Sequence, residues 1–315
     1  MKILLLYNKK NAPPWNASIL IEKELKKKHQ VEFFDLGQTP YWTDFYGKLP
    51  FYFPKGFPVS VQSVIKKSGS KFDLVIIIDA PGQYRLTGLK KLNIPRVLWS
   101  FDTPEPDCFR FHNYFKNDYS HIFTVHKDLI HKFGSECKWL PGFCDPEIHK
   151  KYNLPKIYDI VFIGNLNLEG INAQLYSKRI ELLKLLSEKF NLKVFSGIYG
   201  QEMARIYSQS KIVFNKSRRD DLNLRIFEAM ACGSLLITDR PRPEVGLEEF
   251  FQDGKHLILY NNEKDLIEKV DYYLKHEKER EEIALAGYKE VLEKHTIEHR
   301  TTQMLKIVFN NIDTA

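Results

Sequence analysis

Residues 211–244 read KIVFNKSRRDDLNLRIFEAMACGSLLITDRPRPE. The apolar run 211–215 predicts a buried strand, 223–232 an amphipathic helix, and 234–238 a second strand. Either Asp221 or Asn223 can cap the helix, and Gly233 stands where a left-handed residue ends it. A strand, a helix and a second strand in this order indicate an open α/β sheet with parallel strands.

The same alternation of strands and helices extends in both directions along the chain. Further strands are predicted at 2–7, 31–35, 74–78, 97–101, 122–125, 159–163, 192–195 and 256–259. Helices are predicted at 16–28, 60–68, 86–91, 127–133, 174–188 and 201–208, and from 264 onward.

A polar, proline-bearing stretch at 146–159 interrupts this alternation of strands and helices, and we place a domain boundary inside it. The expected domains are 1–155 and 156–295, each α/β, Rossmann-like and doubly wound, with 296–315 as a helix that returns to the first domain. In such sheets ligands bind outside the carboxyl ends of the strands. The loops that follow strands are therefore the places to search for a site.

Composition and charge narrow the class of protein. With 315 residues, of which 43% are hydrophobic and 28% charged, the chain is expected to fold into two domains. The net charge of +7 comes largely from lysines that alternate with glutamates on helices, so we expect no nucleic acid partner. No apolar stretch reaches the roughly 18 residues of a membrane span. At most a peripheral membrane contact is expected.

The four cysteines are expected to be reduced thiols. They show no spacing typical of a zinc site, and the first residues, MKILLLYNKK, lack the features of a signal peptide. We therefore expect a cytoplasmic protein.

The loop and helix at 216–232 carry the pattern that indicates a ligand. A helix that begins after a strand directs its free amides and positive dipole end toward the carboxyl edge of the sheet, which favours anions. Basic residues crowd the same place, namely Lys216, Arg218, Arg219 and Arg225. Asp220 and Glu228 could both face one ligand, and a carboxylate suits vicinal hydroxyls. Alternatively, these are a capped helix and solvated charges of an ordinary βαβ unit.

The run 223–274, NLRIFEAMACGSLLITDRPRPEVGLEEFFQDGKHLILYNNEKDLIEKVDYYL, resembles the donor-binding half of GT-B glycosyltransferases, in particular the CgeB-like group and the related "glycosyl transferases group 1" domains. The similarity extends over about 159–305 and is weaker before it. It implies the GT-B fold, in which two Rossmann-like doubly wound domains face each other across a cleft. It also implies that a nucleotide-diphosphate sugar is the donor.

The resemblance also assigns residues to this donor. In the E-x7-E motif of the retaining enzymes Glu228 matches the ribose-binding glutamate, and Asp220 replaces the first, catalytic one. In FIGN, Gly164 matches the glycine after the first strand of the donor domain, and Asn165 follows it. The basic pair that many relatives carry soon after that glycine is missing. We expect Lys216 and Arg225 to replace it, with Asn223 and Leu224 beside them.

Two residues of the first domain are further catalytic candidates. Asp102 follows a strand in VLWSFDTPEPD, which resembles the W-x-x-D-x-P run of the CgeB-like group, and could position the acceptor hydroxyl or take its proton. Equally, it could begin a turn. His126 follows the strand HIFTV, where relatives carry a histidine that contacts the donor sugar, although it could be structural. The aromatic segment 41–57 could be an acceptor platform or a loop that covers its own core.

No D-x-D pair exists in the sequence, so neither a metal nor another cofactor is expected. The expected function is a metal-independent transfer of a sugar to an acceptor, which could be a protein, a glycan or a small molecule. The E-x7-E-like pair favours retention of configuration, and inversion with Asp102 as base is the alternative. A sugar-nucleotide epimerase of the same architecture and a non-catalytic protein that binds nucleotide sugars or polyanions are the alternatives.

Overall fold

The computed structural model describes residues 1–10, 16–38, 57–79, 85–104, 106–134, 136–166 and 173–309. The chain forms two compact units, Met1–Pro141 with Arg300–Ala315, and Gly142–His299. The domain limits expected from the sequence, 155 and 295, stay a prediction.

The first unit alternates short apolar strands with helices. Its elements are β1 (Lys2–Tyr7), α1 (Ala17–Lys28), β2 (Gln30–Asp35), β3 (Val59–Ser60), α2 (Val61–Ser68), β4 (Leu74–Ile78), β5 (Leu86–Thr87), β6 (Arg96–Ser100), α3 (Pro106–Phe115), β7 (His121–Thr124), α4 (Ile130–Phe133) and β8 (Cys137–Trp139).

A six-stranded parallel sheet of order β2-β1-β4-β6-β7-β8 forms the centre of this unit. Its inner strands are almost wholly apolar, as in LVIII of β4, because helices of a doubly wound sheet cover both faces. The chain moves in opposite directions along the sheet from β1, first to β2 and then to β4. This reversal creates a switch point between β1 and β4.

The second unit repeats the alternation. Its elements are β9 (Tyr158–Ile163), α5 (Ala173–Lys189), β10 (Leu192–Phe195), α6 (Gly200–Ser208), β11 (Ser210–Asn215), α7 (Leu224–Ala231), β12 (Leu235–Asp239), β13 (Ile258–Tyr260), α8 (Glu263–Lys275), α9 (Glu277–Lys294) and α10 (Ile297–Val308). The last of these, α10, passes into the first unit at Arg300.

The sheet of the second unit is parallel and has the order β10-β9-β11-β12-β13. Its core includes Phe162, Phe214 and Ile237, which are completely or almost completely buried. Here the direction of winding reverses at β9, so the switch point lies between β9 and β11. The two strands therefore end beside the crevice in which such folds bind ligands.

The expected α/β class with parallel sheets is confirmed, and most predicted elements agree with the structure within two residues. The predicted helix 86–91 is wrong. Leu86 instead pairs with Val59 in a small separate sheet, and Gly88, at φ 82°, turns the chain before a short 3₁₀ turn, Leu89–Lys91. The sequence prediction also missed α3 and β8. The aromatic segment 41–57 lies outside the described residues except at Phe57.

Among the helices in the described ranges, none is both long enough and apolar enough to cross a membrane.

Candidate functional site

The carboxyl ends of β9 and β11 bring together several of the predicted residues. Gly164 and Asn165 directly follow β9, and Asn215 and Lys216 lie at the end of β11. Helix α7 begins a few residues later, at Leu224. The elements that carry the predicted donor residues therefore meet at the switch point of this sheet.

Arg225 lies across the ends of both strands. Its Nε donates a hydrogen bond to the carbonyl oxygen of Ile163 at 2.9 Å, and its Nη1 donates to Oδ1 of Asn215 at 2.6 Å. The guanidinium also lies over the ring of Phe162, with 4.7 Å to the centroid. A side chain at Gly164 would clash with Nη2 of Arg225. The glycine is therefore needed so that this arginine can lie against the backbone.

A second guanidinium, that of Arg179 on α5, reaches the same edge, and the sequence reasoning missed it. Its Nε and Nη2 donate to the carbonyl oxygen of Lys216 at 3.1 and 2.8 Å, and its Nη1 donates to that of Asn165 at 3.0 Å. It thereby ties the loop after β9 to the loop after β11. In the sequence, Arg179 is one base among many on an amphipathic helix, and nothing marks it out.

No described carboxylate lies within ion-pair distance of these two arginines, although Asp221 acts on Arg179 from further away. Their hydrogen-bond acceptors are carbonyl oxygens, and in the described parts of the chain neither forms an ion pair with a carboxylate. Burial, and then the neighbouring Arg225, lower the pKa of Arg179 to about 10. Because guanidinium groups keep their positive charge in proteins, this edge of the sheet attracts anions.

The start of α7 adds to this attraction. Asn223 is the N-cap residue, as predicted, but its side chain makes no capping hydrogen bond. Its Nδ2 instead donates weakly to Oδ1 of Asn215, at 3.4 Å. In the ranges that the structure describes, the amides of the first turn therefore have no side-chain cap, and the start of a helix favours negative charge. The other end agrees with the prediction, since Gly233 has φ 73°.

Lys216 has a carboxylate partner of its own. Its Nζ lies 2.8 Å from Oδ2 of Asp239, and the same carboxylate accepts hydrogen bonds from the amide and the hydroxyl of Ser217. The charge of Lys216 is therefore partly neutralised, unlike that of Arg225. Its assignment to the donor stays a prediction.

Asp220 lies at the tip of the loop between β11 and α7. Its φ of 56° places it in the left-handed region, where no other described non-glycine residue lies. Its Oδ2 accepts a hydrogen bond from Nε of Arg242 at 2.8 Å, which joins this loop to the loop after β12. The structure thus pairs Asp220 with an arginine, and its catalytic assignment stays a prediction.

Glu228 lies further along α7 with its side chain 19% exposed, and Oε1 is 3.7 Å from Nε2 of His149. The structure therefore gives Glu228 one open side and one side that faces a buried ring. The sequence reasoning did not single out His149, because a lone histidine in a polar connecting stretch has no distinctive spacing. Leu224, at the start of the same helix, is partly exposed.

The carboxyl edge of the first unit is built differently, around the buried side chain of Asp79 after β4. Its Oδ1 accepts from the amide of Phe101 at 2.8 Å, and its Oδ2 accepts from the hydroxyl of Ser100 at 2.5 Å. Nε2 of His112 lies 3.3 Å from the same Oδ2. The sequence reasoning missed this carboxylate, although it directly follows a predicted strand.

The same network reaches the two predicted residues of the first unit. The carbonyl oxygen of Phe101 accepts a hydrogen bond from Nε2 of His126 at 3.1 Å. Phe101, the residue before Asp102, is thus held by His126 at its carbonyl group and by Asp79 at its amide. The structure brings the Asp102 and His126 loops together.

Comparison with known proteins gives one family and many similar folds. Residues 161–306 match the family model described as "Glycosyl transferase-like". No curated protein matches the chain.

The similar solved structures extend over nearly the whole chain. A glycosyltransferase from Rickettsia africae is 12% identical with a TM-score of 0.65, over 100% of this chain and 99% of that one. Sucrose-phosphate synthase from Thermosynechococcus elongatus is 12% identical with a TM-score of 0.66, over 98% of each chain. Alr3699/HepE of Anabaena, solved in complex with UDP-glucose, is 13% identical with a TM-score of 0.63, over 98% of this chain and 100% of that one.

These matches cover the α/β architecture of both units, and the family match includes the whole edge formed by β9, β11 and α7. The segment 161–306 is thus similar to the glycosyl transferase-like family, and the chain has the GT-B fold of the glycosyltransferases that it resembles.

Proposed function

We propose that the chain transfers a sugar from a nucleoside-diphosphate sugar to an acceptor, and that the second unit binds the donor at the carboxyl edge of β9 and β11. The observation that carries the proposal is the pair of guanidinium groups of Arg179 and Arg225, which form no ion pair with a described carboxylate and lie beside the start of α7. A diphosphate is the natural ligand for such a site, because it supplies the missing negative charge.

The position of the diphosphate also determines where the ribose of the donor lies. With the diphosphate against Arg225 and the first turn of α7, the ribose lies toward Glu228, whose carboxylate accepts hydrogen bonds from vicinal hydroxyls. Anabaena HepE was solved with UDP and with UDP-glucose, so a uridine nucleotide is the first donor to test.

The chemistry is the exchange of one bond to the sugar for another. The bond between the anomeric carbon and the diphosphate oxygen breaks, and the nucleoside diphosphate leaves with the electron pair. The acceptor hydroxyl forms the new bond and loses its proton. Fixed positive groups at the diphosphate stabilise the charge that develops on the leaving group more than they stabilise the ground state.

Three finer features belong to the same proposal. The reaction needs no metal, because cationic side chains and helix amides serve the diphosphate. It retains the configuration of the donor sugar, as expected from the E-x7-E-like spacing of Asp220 and Glu228. It takes place in the cytoplasm, where the four buried cysteines stay reduced.

Donor turnover tests the proposal directly. Purified protein is incubated with UDP-glucose and with the GDP, dTDP and CDP sugars, with and without EDTA, and the released nucleoside diphosphate is quantified. We expect release from one donor class, unaffected by EDTA and slower in Arg225→Ala, and proton NMR should show which anomer forms first. Conversion of the donor into an epimer without release would favour the epimerase. Absence of both turnover and binding would contradict the proposal.

A further inference from the structure

The chain segment that follows Pro141 packs against the same helix that carries Glu228, within the second unit. At Gly142 this approach is close. A Cβ there would lie 2.9 Å from the ring of Phe227 and 3.0 Å from Cδ2 of Leu224, both on α7. Further along the segment, His149 lies against α7 at Glu228. The connecting segment therefore covers one flank of the helix.

The hydrogen bonds of His149 determine which ring nitrogen carries the proton. Its Nδ1 accepts a hydrogen bond from the backbone amide of Asp145 at 3.1 Å. A backbone amide can only donate, so Nδ1 holds a lone pair, and the proton of the neutral ring lies on Nε2. Burial lowers the pKa of His149, which keeps the ring neutral at pH 7.

The protonated nitrogen is the one that faces the carboxylate. Nε2 lies 3.7 Å from Oε1 of Glu228, and the histidine side chain is 4% exposed while that of Glu228 is 19% exposed. At this distance the attraction is electrostatic, since a direct hydrogen bond would be shorter. It acts in a buried environment, where a dipole directed at a charge is weakly screened.

We propose that His149 is a positioning residue for Glu228: its Nε2–H group holds the buried side of the carboxylate, so that the exposed side is directed at the ribose hydroxyls of the donor. This inference rests on the proposed function, because it needs Glu228 to bind the donor. The fixed backbone bond at Nδ1 supplies the orientation of the ring, and the ring in turn orients the carboxylate.

The first test needs no ligand. Long-range proton–nitrogen NMR of the protein labelled with nitrogen-15 should show His149 with a protonated Nε2 and an unprotonated Nδ1 at pH 7. In Glu228→Gln the Nε2 resonance should move while that of Nδ1 stays. The opposite tautomer, or an Nε2 resonance that does not change in Glu228→Gln, would overturn the inference.

The second test is a double-mutant cycle on the affinity for UDP, measured by calorimetry. His149→Leu removes the donor group but keeps apolar bulk, and it should weaken UDP binding about tenfold, as expected for loss of an interaction with a charged group. His149→Gln keeps an N–H donor and should recover most of the affinity. In the background of Glu228→Ala, His149→Leu should have no further effect.

The outcomes separate the inference from the proposed function. Equal loss of affinity in His149→Leu with and without Glu228 would mean that the histidine only supports the fold, as would a loss that Gln does not recover. If the wild-type chain binds none of UDP, GDP, dTDP and CDP, the proposed function fails, and the NMR result alone decides whether His149 holds Glu228. Thermal unfolding of each variant confirms that it is folded.

Discussion

The carboxyl edges of the two sheets share their topology and differ in charge. Each sheet is parallel and reverses its winding beside its first strand, between β1 and β4 in one unit and between β9 and β11 in the other. The first edge is built around the buried carboxylate of Asp79 and hydroxyl groups, and the second around the guanidinium groups of Arg179 and Arg225. Strand order determines where a ligand can bind, and the charge of the side chains determines which ligand.

Because of this difference, we propose that the two edges bind different chemical groups. A diphosphate suits the second edge, where two guanidinium groups form no ion pair with a described carboxylate, and would be repelled by the carboxylate of the first. The first edge suits neutral, hydroxyl-bearing groups, which can donate to Asp102 or to the polar network around Asp79. Substitutions at the two edges should therefore have separable effects.

Arg225→Ala should have the largest effect. Removal of a partly buried, hydrogen-bonded cation from the second edge should weaken nucleotide binding about a hundredfold. Calorimetry with UDP measures this loss. Arg205→Ala is the matched control, because Arg205 also contacts an aromatic ring, that of Tyr152, but lies on α6. Equal affinity of Arg225→Ala and the wild type would contradict the charge assignment.

Asp79→Asn tests the first edge. The amide keeps the shape of the carboxylate but presents a donor where Ser100 and Phe101 also donate, which should lower the free energy of unfolding by about 2 kcal/mol. Nucleotide affinity should change less than about twofold, since Asp79 belongs to the other unit and contacts none of the proposed donor residues. Urea unfolding and calorimetry measure the two quantities. Asp73→Asn is the control, at the exposed start of the same strand. A large loss of nucleotide affinity in Asp79→Asn would contradict the claim that substitutions at the two edges have separable effects.

Glu228→Ala tests whether the ribose of the nucleotide binds at Glu228. It should weaken UDP binding about tenfold, because two ribose hydroxyls lose a charged acceptor. Wild-type protein should prefer UDP over 2′-deoxy-UDP, and the variant should lose much of that preference. Parallel titrations of both nucleotides measure it. A preference that stays the same in the variant would place the ribose elsewhere.

The pH dependence of stability should show the smallest effect. Burial holds the pKa of His149 below its ordinary value of 6.5, so below about pH 6.5 the unfolded chain binds a proton that the folded chain excludes. Stability is therefore lost as the pH falls below about 6.5. His149→Gln should lose less stability than the wild type between about pH 7 and pH 5.5, by about 1 kcal/mol. Urea unfolding at each pH measures this difference, with His131→Gln, at an exposed position, as control.

Much of the fold follows from local patterns. Apolar runs such as LVIII of β4 and the stop at Gly233 are determined by neighbouring residues, so they can be predicted without tertiary information. The strand at Leu86 could not be predicted in this way, because it forms only by pairing with Val59, which is far away in the chain. Tertiary pairing there overrides a pattern that favours a helix.

The candidate site was predictable in part for a similar reason. Gly164, Arg225 and Glu228 belong to motifs with recognisable spacing, whereas Arg179, His149 and Asp79 acquire their roles through contacts with distant segments. Nor does the sequence reveal that Lys216 pairs with Asp239, or that Asp220 pairs with Arg242. Charged side chains that look equivalent in the sequence thus differ in the folded chain. Lys216 and Asp220 form ion pairs, whereas Arg179 and Arg225 form none with a described carboxylate.

The binding of nucleoside diphosphates to the second edge is the central claim, and a thermal-shift series tests it most directly. Wild-type protein and Arg225→Ala are heated with UDP, GDP, dTDP and CDP in the absence of metal, since a ligand that binds only the folded state raises the melting temperature. A clear rise with one nucleotide in the wild type, lost in Arg225→Ala, is the predicted result. No rise with any nucleotide, or the same rise in both proteins, would contradict the account.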